Sequence, residues 1–211
     1  MLEVIPGILE KDWSEIERKI NIAKQFSKVI HIDIIDGKFV PNTTFLDPSP
    51  FAKFKGEVFF ELHMMVENPL RYLKPFADAG FKRFIGHVES FKRPQEQVEF
   101  VAKTQELGEV GLAIDGPTDL SAIKVLYSDL DCVLIMTIKA GESGQLFGTE
   151  YLKKVEMLKR AHHDMKIEVD GGINDQTIIE AKNAGATRFV ANSFIFKAQN
   201  PQEQYNLLKK W

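Results

Sequence analysis

The chain has 211 residues, 44% of them hydrophobic and 27% charged, with a net charge of -3. That composition can build the core of a globular protein, and it carries none of the basic excess that marks a nucleic-acid binder. No apolar run approaches the ~20 residues that span a bilayer, and the start MLEVIPGILEKDW lacks the basic region of a signal peptide, so a cytoplasmic protein without membrane contact is expected.

Residues 4–9 form a first short apolar strand. Asp12 and Glu15 then make a D-x-x-E helix start, and Trp13, Ile16, Ile20, Ala23 and Phe26 recur at helical spacing. A strand over 29–33 leads into a long loop rich in turn residues. Next come a strand over 58–65, a helix over 69–79 stopped by Gly80, a strand over 83–87 and a helix over 94–107 stopped by Gly108. The spacing then predicts a strand over 110–114, a helix over 119–127 capped by Thr118, a strand over 132–138 and a helix over 148–161. A strand over 167–169, a helix capped by Asn174 and ending near Gly185, a strand over 188–191 and a helix opened by Asn200-Pro201 complete the chain. The single cysteine, Cys132, falls in an apolar strand and reads as an inert core residue. Eight strand–helix alternations of roughly 25 residues predict parallel βαβ units, closed as one (β/α)8 barrel domain over residues 1–211. A doubly wound open sheet is the alternative.

Within VIHIDIIDGKFVPN, residues 29–42, His31 and Asp33 are two apart and so share one face of their strand. An antiparallel sheet with a wet face would accommodate them cheaply. A barrel strand, covered on both faces, buries an imidazole and a carboxylate that then need partners or a metal. Ionisable residues recur at later strand ends, notably His63 on the third strand and Asp170 on the seventh. Those two strands face each other across an eight-stranded barrel. His31, Asp33, His63 and Asp170 therefore suit one divalent ion, Zn, Mn, Fe or Co. Taken singly, each is as well explained as an independent hydrogen-bonded residue in a polar barrel mouth.

Glycine supplies a second pattern. Gly141, Ser143 and Gly144 follow the sixth strand, Gly171 and Gly172 the seventh, and Asn192 and Ser193 the eighth. Backbone N–H groups after the last strands of a barrel form a recurring phosphate cradle. Three ordinary tight turns would look the same one at a time. Met65 and Met136, near strand ends, are candidates to line the pocket.

HIDIIDGKFVPN resembles the ribulose-phosphate 3-epimerase signature H-x-D-x-M-D-G-x-F-V-P-N, and ELHMMVENP resembles that family's D-x-H-L-M-V-x-x-P. GLAIDGPT, IMTIKAGESGQLF, IEVDGGIN and VANSFIF are similar to its later motifs, in the same order along nearly the whole chain. The resemblance implies a barrel that binds a divalent metal and a ketopentose 5-phosphate, and inverts the carbon beside the ketone through an enediolate. It implies His31, Asp33, His63 and Asp170 as metal ligands, Asp33 and Asp170 as the two acid/base residues, and a homo-oligomer. Several positions depart from the pattern. Gly7 stands for a serine, Ile35 for a methionine and Asn192 for a glycine, while Glu142 puts a carboxylate into the loop after the sixth strand. The altered loops leave room for a six-carbon ketose phosphate, or for a non-catalytic metal- or phosphate-binding barrel. Decarboxylases that share the barrel carry D-x-K-x-x-D where this chain has His31, Asp33 and Asp36 and no lysine.

Overall fold

In the computed structural model, which describes residues 2–141 and 146–211, eight parallel strands close into a barrel. They are β1 (Glu3–Ile8), β2 (Val29–Ile35), β3 (Phe59–Met65), β4 (Phe81–His87), β5 (Glu109–Ile114), β6 (Cys132–Met136), β7 (Ile167–Asp170) and β8 (Arg188–Ala191). Each pairs with its neighbour in sequence, and β1 pairs with β8 to close the ring. Helices α1 (Trp13–Ala23), α2 (Leu70–Ala79), α3 (Pro94–Gln105), α4 (Leu152–Ala161), α5 (Thr177–Ala184), α6 (Ser193–Phe196) and α7 (Pro201–Leu208) surround it.

The barrel separates two cores. One lies between the outer strand faces and the helices, where Ile16, Ile20 and Ala23 of α1 and Leu73, Phe76 and Ala79 of α2 are buried at helical spacing. Phe51, Phe60, Phe76 and Phe81 pack edge-on and stacked in this layer. The other core is inside the barrel, where Ile85, Ala113, Cys132 and Leu134 form an apolar wall. Cys132 is buried there, and burial pushes its thiol well above the ordinary range. No helix among the described residues is long and apolar enough to cross a membrane.

Local structure departs from the pattern reading in three places. The helix expected over 119–127 is replaced by two short 3-10 turns, Leu120–Ala122 and Tyr127–Asp129. The buried amide of Gln97, on α3, explains this. Its Nε2 donates to Ala122 O at 2.9 Å and its Oε1 accepts from Lys124 N at 2.8 Å, so the segment's backbone groups are satisfied outside a helix. The cap belongs to Asp119, which accepts from Ser121 N, and not to Thr118. Asp12 sits at the N-cap of α1 without making a side-chain cap bond, and the Glu15 side chain pairs with Arg18 at 2.9 Å. The β2–β3 crossover likewise carries a 3-10 segment, Ser49–Phe54, and no α-helix. Elsewhere the punctuation is as expected. Asn174 accepts from Gln176 N and Thr177 N, Asn200 accepts from Glu203 N, and α2 and α5 end on Gly80 and Gly185 at positive φ.

Candidate active site

Register brings the polar residues together. Asp33 on β2 lies opposite His63 on β3, and His31 lies opposite Glu61. Met136 lies opposite Asp170 at the end of β7. All of these sit at the C-terminal end of the barrel or one step below it, where barrel enzymes place their chemistry. His63 Nδ1 stands 2.8 Å from Asp33 Oδ1 and 3.6 Å from Asp170 Oδ2, and His31 Nε2 stands 3.2 Å from Asp33 Oδ1. One donor atom from each of His31, Asp33, His63 and Asp170 lies within 4.8 Å of all the others. Two imidazoles and two carboxylates at that spacing fit a borderline divalent ion. His31 and His63 are fully buried, while Asp170 opens partly to the mouth.

The field in the cluster splits its members. Burial opposes the charge of Asp33, yet the charge of His31 and hydrogen bonds with His31 and His63 hold its carboxyl well below the ordinary range. Burial, reinforced by the charge of Asp33, pushes Asp170 up to about 8. Burial takes His63 down to about 4 despite its hydrogen bond with Asp33. His31 goes the other way. Burial lowers it, but the Asp33 carboxylate and the hydrogen bonds around the ring outweigh that and raise it well above its usual value. A cation held among the four would offset the repulsion between the two carboxylates.

A narrow cleft of about 50 Å³ opens above them. Asp33, Asp170, Met65 and Met136 form its floor and walls. Gly141, Gly171, Gly172, Asn192 and Ser193 reach it from the loops after β6, β7 and β8. Gly172 has φ +68°, and a Cβ there would lie 3.1 Å from Phe147 Cβ, so a bare backbone N–H can face the cleft only from a glycine. Ser143 and Gly144, expected in the same cradle, lie outside the described residues, as does Glu142. The departure at Gly7 has a steric partner: a Cβ there would come 2.7 Å from Val190 Cγ1, and Val190 also lines the cleft.

The residues after Asp36 cover the mouth. Asp36 accepts from Lys38 N, Phe39 N and Glu67 N, which bends the loop back over the barrel. Asn42 Nδ2 donates to Gly141 O at 2.8 Å, and Phe39 packs on the His87 ring at 4.9 Å between centroids. The D-G-K-F-V-P-N half of the first motif is thus the cover, and the H-I-D half carries two of the four clustered donors.

Several further residues join the site, of which Glu61, His87 and Glu89 stand out in the sequence as ionisable strand-end residues without a role, and Arg83 and Glu168 do not. Glu61 Oε1 stands 2.6 Å from His31 Nδ1, and its Oε2 accepts from Arg83. His87 Nε2 stands 2.8 Å from His63 Nε2, and His87 Nδ1 3.0 Å from Glu89 Oε2. Glu168 is buried with neither oxygen in a hydrogen bond among the described residues, 3.4 Å from His31 Nδ1, and burial with the charge of Glu61 raises it to about 7. The signal was the two-residue alternation already used for His31 and Asp33. Glu61 shares a face with His63, Arg83 with His87, and Glu168 with Asp170.

Fold and cluster together define an enzyme of the (β/α)8 barrel class whose strand ends converge on a cation-sized nest of imidazoles and carboxylates. The chain belongs to the Ribulose-phosphate 3 epimerase family, whose model matches residues 3–196. It is 35% identical to the ribulose-phosphate 3-epimerase of Schizosaccharomyces pombe over 95% of this chain and 90% of the relative. It is 33% identical to that of Bacillus subtilis over 93% of both. The cytoplasmic isoform of rice, Oryza sativa subsp. japonica, is 34% identical over 99% of this chain and 93% of its own length. Among solved structures, KGPDC from Streptococcus mutans superposes with a TM-score of 0.76 at 12% identity over 99% and 96% of the two chains. The 3-hexulose-6-phosphate synthase from Salmonella typhimurium does so at 0.74 and 13% identity over 99% and 97%. These two establish the barrel architecture alone. The family places the chain among the carbohydrate epimerases, which are isomerases.

Proposed function

We propose that the chain epimerises C3 of a phosphorylated ketose, D-ribulose 5-phosphate to D-xylulose 5-phosphate, by two-base proton transfer. The observation that carries this reading is the position of His63 Nδ1 between Asp33 Oδ1 and Asp170 Oδ2, which sets two carboxylates from β2 and β7 on one pocket. His31, Asp33, His63 and Asp170 are the residues that would hold a divalent ion. Such an ion, when bound, supplies Lewis-acid stabilisation of the enediolate oxygens.

The rest of the step belongs to the chain. One carboxylate takes the proton at C3 while the other, on the opposite side of the pocket, delivers a proton to the other face. A carboxylate can bind a cation with one oxygen and keep the second for proton transfer. Met65 and Met136 present a dry, polarisable wall beside the reacting carbons. The covering loop held by Asp36 and by the Asn42–Gly141 bond limits the access of water. Gly172, Asn192 and Ser193 direct backbone and short polar groups at the substrate phosphate. We place the enzyme in the cytoplasm as a homo-oligomer, in keeping with the naming of the rice relative for the compartment and with the family resemblance for the assembly.

The test is metal analysis of the purified protein followed by exchange in deuterated water, with D-ribulose 5-phosphate and allulose 6-phosphate as separate substrates. Deuterium at C3 of the pentose is the expected result. Exchange on the hexose alone reassigns the substrate. Bound metal without exchange on either sugar leaves a non-catalytic barrel.

A further inference from the structure

One tier below the ligand cluster, the barrel holds a chain of buried charge that the proposed chemistry does not use. Register sets His31, Glu61 and Arg83 side by side on β2, β3 and β4. Glu61 is fully buried. Its Oε1 accepts from His31 Nδ1 at 2.6 Å and its Oε2 from Arg83 Nη1. Arg83 is anchored on the far side by Glu109, whose Oε2 accepts from Nη2 at 2.7 Å and from Nε at 2.8 Å. A buried ion pair is weak as a stabilising device, because desolvating two charges offsets most of their attraction. A function in the neighbouring site accounts better for its presence.

His31 has two ring nitrogens, and only one can face the ligand cluster. The shorter contact joins Nδ1 to Glu61 at 2.6 Å, and Nε2 stands 3.2 Å from Asp33 Oδ1 on the side of the cluster. Each nitrogen faces a carboxylate and carries a proton; a cation in the cluster would take the place of the proton on Nε2 and leave Nδ1–H on Glu61. Glu61 also departs from the family pattern, which has aspartate at this place in D-x-H-L-M-V-x-x-P. The extra methylene lets one carboxylate reach across to β2 and across to β4 at once. His63 is backed differently, through His87 to Glu89. Glu168 stands farther off, its Oε1 3.4 Å from His31 Nδ1, and neither of its oxygens makes a hydrogen bond among the described residues.

We infer that Glu61, gripped by Arg83, is a positioning residue that holds His31 in its Nδ1–H tautomer and thereby sets the affinity of the cluster for a divalent cation. This rests on the metal-ligand reading of the cluster given above. An outer carboxylate on a ligating histidine fixes ring orientation and raises ligand basicity, and its loss typically weakens metal binding about ten- to hundredfold. In Glu61→Gln the amide must present its N–H₂ either to Arg83, where it meets a cation, or to His31, where it demands the opposite tautomer.

The experiment measures the zinc dissociation constant by chelator competition for the full-length wild type and for Glu61→Gln, with thermal unfolding of both metal-free proteins alongside. The expected result is a constant raised about ten- to hundredfold in the variant, with cooperative unfolding retained. A change smaller than about threefold overturns the inference. If Glu61→Gln does not fold, ¹⁵N imidazole spectra of the zinc-loaded wild type decide the matter. A hydrogen-bonded proton on His31 Nδ1 with zinc at Nε2 supports the inference, and a bare or zinc-bound Nδ1 overturns it. A wild type that takes up no zinc, manganese, iron or cobalt removes the metal reading itself. A wild type that binds metal as tightly as its variant removes only the role of Glu61.

Discussion

The ligand cluster stands on strands and the anion cradle stands on loops, and the two are held by different means. His31, Asp33, His63 and Asp170 take their positions from the hydrogen-bond register of β2, β3 and β7, and the two histidines are backed by Glu61 and His87. The cradle takes its position from local backbone geometry, such as φ +115° at Gly171 and +68° at Gly172. The departures from the family pattern at Glu142 and Asn192 follow β6 and β8, and those at Gly7, Ile35 and Glu61 fall on strands, while His31, Asp33, His63 and Asp170 match it. Register constrains every residue on a strand together, so a change there displaces neighbours in a packed interior. A loop can alter one residue without moving the barrel. The four clustered donors are thus tied to the closing of the barrel, and the glycine turns to their own local geometry.

The largest effect expected of that division is on turnover. Asp33→Asn and Asp170→Asn should each lower kcat by roughly 10³-fold with little change in KM, read by deuterium incorporation at C3 and a coupled pentose assay. If the loss appeared in KM with kcat intact, the strand half would be a binding device and the division would fail. Next is removal of the cation. Dialysis against a strong chelator should abolish turnover, and readdition of Zn, Mn, Fe or Co should restore it, while the far-ultraviolet circular dichroism of the barrel stays the same.

The loop half should respond in the opposite parameter. Gly172→Ala forces a side chain onto φ +68° and against Phe147. Its KM for the phosphorylated sugar should rise about tenfold with kcat within about twofold, an effect of about 1.4 kcal/mol. Steady-state kinetics over a range of substrate concentrations separates the two parameters. A kcat loss comparable to that of the aspartate variants would place the glycine in the chemistry.

The smallest effect concerns the support of His63. Glu89 is held down to about 2, where burial would raise it but the hydrogen bond and charge of His87, with Thr118 and Asp115 N–H, prevail. A carboxyl whose folded value lies below its unfolded value contributes stability above the unfolded value, and that contribution is lost as pH falls from about 4.5 toward 2. Because Glu89 is partly exposed, about 1 kcal/mol is the expected size. Glu89→Gln should therefore lower the melting temperature at pH 7 and flatten its decline between pH 5 and pH 3, followed by calorimetry. An unchanged acid limb would show that His87 needs no carboxylate behind it.

Much of this was legible along the chain, and the exceptions share a cause. Alternation of strands and helices, and turn signals such as Gly80 and Gly185, led to the barrel. The spacing of His31 and Asp33 led to the ligand set. The helix read over 119–127 failed because Gln97, distant in sequence, supplies the backbone bonds that a local pattern assigns to a helix. The Thr118 cap failed with it. Glu61 carried no role and Arg83 and Glu168 went unremarked, because a charged residue on a strand looks the same whether it faces solvent or its neighbours, until pairing and register are known.

By itself, then, the order of residues determined which segments are strands and helices, the closed eight-unit architecture and the identity of the four ligand candidates. Periodicity and turn chemistry are local, and the family motifs are contiguous. Only the tertiary structure decided that Asp170 meets His63 across the barrel, that Glu61 stands behind His31 and that Val190 occupies the space beside Gly7. Each of those contacts joins residues on different strands, and the distance between them is set by closing the sheet, a constraint that no single segment carries.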